Sequence, residues 1–494
     1  MHDRDRSKVA VVGAGLSGLA VAARLAYDGH EVHVFEKNNY FGGKATLVTN
    51  QDFVFDAGPS LFTMPDYVDE VFHYCGENPR DYYTYHTLTT ICNYFYEDGL
   101  KIRASADIDE FAKEIEMQTN DTSESIKRFL KRTQAIHQIT EPVFLRRSIH
   151  RFKSLMNWDT LKGIFQFRKI NAFQTMEHDI RRYFKDERVV QLFCRYATYN
   201  GSNPYVAPAT LNVIPYLEYG LGAYMPKGGI HAIPSALYQL GKKLGVNFHL
   251  KTKVDEILVE KAKTTGLRIS NKLFQADRVV TNADIWPSYR HLLKSIEAPE
   301  KILTQERSSS ALIFYWGIKA DFPELDVHNI LFSQDYEKEF STLFNKEFPH
   351  QDPTVYIHVS SKVCREHAPV GSENWFVMVN APRHNGQDWQ KELHVIRENI
   401  ITKVERVLKK NIRDLILTEN ILTPKDIEEK TGSHQGSLYG PSSNGRYAAF
   451  LRHSNASSRV KGLYFCGGSV HPGGGIPLVM SSAKIVADLI REDS

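Results

Sequence analysis

Gly13, Gly15 and Gly18 stand in the G-x-G-x-x-G spacing of "GAGLSG", and Glu36 closes the apolar segment that follows. This set binds dinucleotides. The first glycine permits a tight turn, the second lets backbone approach a pyrophosphate, and the third lets a helix pack close on a strand. Glu36 is placed to take a pair of ribose hydroxyls. Six residues later, Gly42-Gly43-Lys44 brings a second stretch of backbone close to the ligand, with a cation beside it. A simple nicotinamide domain does not require this, so the choice falls on FAD. "FDAGPSLF" adds Asp56 and the rigid Gly58-Pro59-Ser60 turn, which either passes beside a flavin ring or is an ordinary turn.

The elements that carry these residues form a β-α-β unit: a strand over 8–12, the glycine turn, a helix over 16–26 and a strand over 31–36. Residues 108–193 are charged and helix-favouring, which predicts a helical insertion. "ADRVVTNAD" reads as a further strand, and strand patterns at 311–318, 355–360 and 375–380 predict a second sheet. The C-terminus returns to strand, turn and helix in "GLYFCGG", "SVHPGGG" and "IPLVMSSAKIVADLI". The fold expected is α/β. A Rossmann-like FAD-binding domain is assembled from discontinuous segments (1–75, 225–290 and 455–494). A mixed-sheet substrate domain is inserted (76–107, 194–224 and 291–454), together with a helical, membrane-docking subdomain (108–193).

With 494 residues, 42% of them hydrophobic, the chain supports two or three packed units. A net charge of +3 is too near balance to argue for nucleic acid as a partner. Five scattered cysteines without C-x-x-C suggest neither a disulfide framework nor a metal site, and fit a reducing cytosol. The apolar run after residue 8 is interrupted by glycines and Arg24, so it reads as neither signal peptide nor membrane span. A protein that is soluble, or lies on a membrane surface, is expected.

"VVGAGLSGLAVAARLAYDGHEVHVFEKNNYFGGK", "FDAGPS" and "LYFCGGSVHPGGGIPLVMSSAK" together resemble the FAD-dependent carotenoid desaturases of the bacterial phytoene-desaturase type, within the flavin amine-oxidase superfamily. "GGKATLV", "FDAGPSLFTMPDYVDEVF" and "YFYEDG" are more similar to the hydroxycarotenoid 3,4-desaturases than to the phytoene enzymes. The resemblance implies FAD bound by Gly13, Ala14, Gly15, Ser17, Gly18, Glu36 and Lys37. Gly42, Gly43 and Lys44 would lie along its diphosphate and ribityl chain, and Gly58, Pro59 and Ser60 near its rings. It further implies Val254 at the adenine, and Asn282 and Ala283 in the cofactor channel. Gly468 and Ser469 would approach the diphosphate, with Gly474, Gly475 and Ile476 close to the isoalloxazine. Pro477 suits the first turn of a helix aimed at the flavin. An acidic residue often follows the glycine here in the superfamily. This chain has Gly468-Ser469, which weakens an amine-oxidase reading.

No triad, H-E-x-x-H or metal-ligand spacing is present. His231, His358 and His434 read as structural or surface histidines. His471 in "HPGGGIP" is the one candidate for the flavin edge, and the catalytic residue is otherwise open. Desaturation of an allylic –CH2–CH2– needs hydride loss and then proton loss, and a polyene delocalises the cation between them, so a strong base is unnecessary. The substrate implied is a hydrophobic carotenoid, with 3,4-desaturation of a 1'-hydroxycarotenoid or γ-carotene-like molecule foremost. Phytoene desaturation, amine or prenylcysteine oxidation, and non-catalytic prenyl-protein binding are the alternatives.

Residues 146–169, from Arg146 to Lys169, carry Arg146, Arg147, Arg151, Lys153, Lys162, Arg168 and Lys169 against Asp159 alone, interleaved with aromatic and aliphatic residues. Such a segment suits an anionic membrane surface, or forms the solvated face of a packed helix. Because carotenoids dissolve in bilayers, docking on the inner face of the cell membrane from the cytoplasm is expected.

Overall fold

Val9 and Val11 face one way and Ala10 and Val12 the other along the strand Lys8–Val12 (β1), and none of the four is more than 7% exposed. A strand buried on both faces needs a neighbour on each side and a layer above and below. The computed structural model, which describes residues 6–145, 147–150, 174–346, 348–445, 448 and 451–493, supplies all of these. β1 pairs in parallel with Glu31–Phe35 (β2) and with Arg278–Thr281. Leu463–Phe465 and Asn247–His249 complete a five-stranded parallel sheet. Val9 and Val11 pack under three helices: Leu16–Tyr27 (α1), Ala232–Lys243 and Ile476–Glu492. Ala10 and Val12 pack with Ile257 and Leu267 of a three-stranded antiparallel sheet. This parallel sheet is therefore assembled from pieces of chain more than four hundred residues apart.

The second sheet has seven strands, in the order Ile416–Leu422, Ser310–Ile318, Glu373–Ala381, Val355–His358, His328–Leu331, Thr90–Phe95 and Lys101–Ser105. All neighbours are antiparallel except His328–Leu331 with Thr90–Phe95. Its strands also alternate. Leu312, Phe314 and Trp316 pack under the helix Trp389–Leu408, while Ile313 and Tyr315 face a large cavity. The strands expected at 311–318, 355–360 and 375–380 are all in this sheet, each within two residues of its expected ends.

Between residues 108 and 193 the described segments include the helices Ile108–Gln118, Ser123–Thr140, Met176–Ile180 and Glu187–Cys194, joined by turns and packed around Phe111, Phe129 and Phe193. Of the basic segment, Arg147 is described and exposed; Arg146 and residues 151–169 lie outside the described residues. No helix of the described residues is long and apolar enough to cross a membrane.

Candidate active site

The turn after β1 is held by its own sequence. The Gly13 N–H donates to the Phe35 carbonyl at 2.8 Å, and the Ala14 N–H donates to the Glu36 carboxylate at 2.9 Å. The other Glu36 oxygen accepts from Asn38 N–H at 2.9 Å. Glu36 thus ties the end of β2 to the glycine turn before any ligand is considered. A Cβ on Gly18 would sit 2.2 Å from the Gly13 carbonyl oxygen, so only glycine lets α1 pack this close. At Gly15 the obstacle is Asn282, whose Oδ1 would lie 2.6 Å from a Cβ.

The second glycine pair docks on the first. Gly42 forms a parallel bridge with Gly15, and its N–H donates to the Ala14 carbonyl at 2.8 Å. Gly42 has φ +95°. Lys44 then runs inward, and its ammonium donates to the carbonyls of Leu438 at 2.7 Å and Ser437 at 3.1 Å. Burial pulls its pKa down to about 8.

One cavity of about 1330 Å³ joins these parts. It is larger than the ~300–1,000 Å³ typical of a pocket for one small ligand, so it has room for a cofactor and part of a substrate. Gly13, Gly15, Ser17, Glu36, Lys37, Gly42, Gly43, Lys44, Gly58, Pro59, Ser60, Val254, Asn282, Ala283, Gly468, Ser469, Gly474, Gly475, Ile476 and His471 all line it. Ala14 and Gly18 do not. The Ala14 N–H is taken by Glu36, and Gly18 is pressed against the Gly13 carbonyl. At the β2 end, Thr252 N–H donates to the Glu36 carbonyl at 2.7 Å, which brings Val254 to the cavity. At the other end, Ser469 Oγ accepts from Ile285 N–H at 2.9 Å, and the helix Ile476–Glu492 opens directly after Gly475.

Sequence reasoning did not single out Arg452. Its guanidinium is buried, lines the cavity, and donates to the carbonyls of Pro441 at 3.0 Å, Gly468 at 3.2 Å and Tyr439 at 3.3 Å. Burial and the nearby Arg307 lower its pKa to about 10. A buried cation whose hydrogen bonds, among the described residues, go to carbonyls suits an anionic ligand. Together with the helix N-terminus after Gly15, this makes the donor set fit the diphosphate of FAD.

The remaining histidines have local partners. His231 Nδ1 lies 2.9 Å from the Ala45 carbonyl, His358 Nδ1 lies 3.1 Å from that of Val327, and His434 stacks on Trp286. His471 Nε2 lies 2.8 Å from the Arg147 carbonyl, and burial holds its pKa down to about 4. Away from the glycines, the cavity is lined by Ile313, Met378 and Ile330 from the seven-stranded sheet, and by His137, Phe144 and Leu217 from the helical side.

Residues 16–491 match the model of the flavin containing amine oxidoreductase family. The chain is 44% identical to a 1-hydroxycarotenoid 3,4-desaturase of Flavobacterium sp. (strain P99-3), over 98% of this chain and 99% of that protein. It is 32% identical to a 4,4'-diapolycopene oxygenase of Methylomonas sp, with both chains fully covered. In fold it is similar to an oxidoreductase from Methanosarcina mazei, with TM-score 0.64 at 16% identity, covering 97% of this chain and 100% of the other. The chain belongs to the flavin containing amine oxidoreductase family, in its carotenoid-desaturase branch, and its cofactor is FAD.

Proposed function

We propose that this flavoenzyme desaturates the 3,4 bond of a 1-hydroxycarotenoid. The observation that carries the reading is 44% identity, over nearly the whole of both chains, to an enzyme named for that reaction; the oxygenase relative stands at 32%. The cavity supports it, since Ile313, Ile330 and Met378 of the second sheet line the same cavity as the glycine turns.

In this reading Gly15, Gly42 and Arg452 hold the FAD diphosphate, Glu36 the ribose, Val254 the adenine side, and Gly58-Pro59-Ser60 with Gly474-Gly475-Ile476 the rings. When bound, the flavin supplies the acceptor for the hydride removed from the substrate. The residues of the chain bind, align and keep the site dry. Ile313, Ile330 and Met378, which line the cavity, would hold the polyene extended and aligned with the cofactor. His471, kept neutral by burial with its Nε2 turned to the Arg147 carbonyl, lines the cavity beside the Gly474-Gly475-Ile476 turn and would be the candidate to receive the proton.

The division of the chain into an FAD-binding domain, a substrate domain and a helical docking subdomain belongs to the same reading. So does attachment to the inner face of the cell membrane from the cytoplasm, supported by the cation-rich segment around Arg147 and by a substrate that dissolves in lipid. The test is product analysis after incubation of the holoenzyme with a 1-hydroxycarotenoid in liposomes. One added conjugated double bond at C3–C4 supports the reading; a product oxygenated at a terminal methyl replaces it with the oxygenase reaction.

A further inference from the structure

Among the apolar side chains of the second sheet, the cavity wall carries a hydrogen-bonded row. Ser60 Oγ lies 2.8 Å from Tyr356 Oη, and Tyr356 Oη lies 2.7 Å from His328 Nδ1. All three side chains line the cavity. The row is built by the sheet. In the antiparallel pair of strands His328–Leu331 and Val355–His358, His328 faces His358 and Ile330 faces Tyr356, so His328 and Tyr356 are diagonal neighbours on one face. Their rings lie within 16° of parallel. Burial, together with the facing His358 and then Arg195, holds the His328 pKa well below the usual range, so His328 acts as a neutral hydrogen-bonding group.

The row ends on one side at His328 Nε2, which is buried without a partner among the described residues, and on the other at Ser60, which lines the cavity. If His328 Nδ1–H donates to Tyr356, then Tyr356 donates to Ser60 and the Ser60 O–H is left over. If the order reverses, Ser60 donates to Tyr356 and Tyr356 to Nδ1, and the Ser60 lone pairs are left over. A hydroxyl, being donor and acceptor at once, completes either arrangement. The second polar cluster at this cavity offers no such end. Arg195 donates to Tyr199 Oη at 2.9 Å, and Tyr196 and Tyr199 both donate to Glu218 at 2.5 Å, so that cluster closes on itself.

We propose that the Ser60–Tyr356–His328 row is the specificity element that recognises the tertiary hydroxyl of the substrate end group. This rests on the 1-hydroxycarotenoid reading above, and the chemistry of that substrate places the row where it is found. The hydroxyl-bearing carbon is two carbon–carbon bonds from C3, so its reader must stand beside the reacting bond. Ser60 directly follows the Gly58-Pro59 turn assigned to the flavin ring. An end group without the hydroxyl leaves the row's last member without its partner, which lowers kcat/KM by about 10- to 100-fold.

The experiment compares kcat/KM of the FAD-loaded enzyme on a liposome-borne 1-hydroxycarotenoid and on its non-hydroxylated counterpart, for the wild type, Tyr356→Phe, Ser60→Ala and Ser60→Thr. The wild type is expected to favour the hydroxylated substrate by about 10- to 100-fold. Tyr356→Phe and Ser60→Ala bring that ratio toward one, and Ser60→Thr, which keeps the hydroxyl, preserves it. A wild-type preference that Tyr356→Phe and Ser60→Ala both retain overturns the proposal and leaves the substrate reading standing. So does an equal loss on both substrates, which marks the row as structural. A wild type that desaturates only non-hydroxylated carotenoids overturns the substrate reading, and the proposal falls with it.

Discussion

Gly15 and Gly42 face each other as a parallel bridge, so the two glycine motifs of the N-terminal segment form one surface rather than two. A side chain on either meets a close neighbour, which at Gly15 is Asn282 Oδ1, 2.6 Å from a Cβ. At Gly42, φ is +95° and a Cβ would lie 2.8 Å from the Ala45 carbonyl oxygen and 3.1 Å from Pro234 Cγ. Gly42→Ala therefore pays strain of about 1–3 kcal/mol and distorts the cradle. The ratio of flavin to protein absorbance in the purified variant should fall several-fold; a ratio equal to the wild type in folded protein would remove Gly42 from the cofactor site.

Glu36 binds two backbone N–H groups as well as facing the cavity, so its variants separate two roles. Glu36→Ala leaves the buried Ala14 N–H without its acceptor, at a cost of about 1–3 kcal/mol. Its melting temperature should drop even in the apoprotein. Glu36→Gln keeps one acceptor oxygen and should melt closer to the wild type while binding FAD about 10-fold more weakly. Differential scanning calorimetry with FAD titration checks both, and equal FAD affinity in all three proteins would place the ribose elsewhere.

Lys44 makes cofactor binding depend on pH. Burial lowers its pKa to about 8 in the protein without cofactor. Below pH 8 the ammonium is charged and attracts the diphosphate; above it the charge is lost. FAD affinity of the apoprotein should therefore decline between pH 7 and 9.5, by about 10-fold. Lys44→Met should bind more weakly at pH 7 and show a flatter profile by isothermal titration calorimetry. A wild-type affinity constant across this range would show that Lys44 does not sense the cofactor.

Gly475 precedes the C-terminal helix with φ +118°, and a Cβ there would meet nothing within 4 Å. Its side-chain direction opens into the cavity. Gly475→Leu strains this turn, since φ +118° disfavours any side chain, and should retain part of its flavin yet lose most turnover, because the new side chain projects into the cavity. Full turnover would move the reacting bond away from this turn.

The basic segment gives a prediction in lipid. Replacing Arg146, Arg147, Arg151 and Lys153 with glutamine should weaken sedimentation with anionic vesicles, and added salt should do the same to the wild type, by screening. Trp158→Ser removes an apolar anchor, so its deficit should persist at high salt. Unchanged vesicle binding in both variants would mark the segment as a solvated face.

The N-terminal β-α-β unit was legible in the sequence because all of its signals, glycine spacing, apolar strands and a closing acid, fall within thirty residues. Three of the seven strands of the second sheet, Ser310–Ile318, Val355–His358 and Glu373–Ala381, were legible as well. Their order was not, since Asn93 pairs with Asn329 and Phe314 with Ile421, and local pattern says nothing about partners so distant. Site residues marked by glycine or proline stood out for the same reason. Arg452 carries no such mark, and its role follows only from burial against Gly468. The Ser60–Tyr356–His328 row joins three separated segments: the sheet register sets His328 beside Tyr356, and Ser60 reaches Tyr356 from the turn after Phe53–Asp56.

Anaerobic mixing of the FAD-loaded enzyme with a 1-hydroxycarotenoid in liposomes, followed at the flavin absorbance band, tests the account most directly. Bleaching of the flavin together with a red shift of the carotenoid, in equal molar amounts, is the outcome expected of a desaturase that passes a hydride to its cofactor. A flavin that stays oxidised with every carotenoid and bleaches with an amine would overturn it.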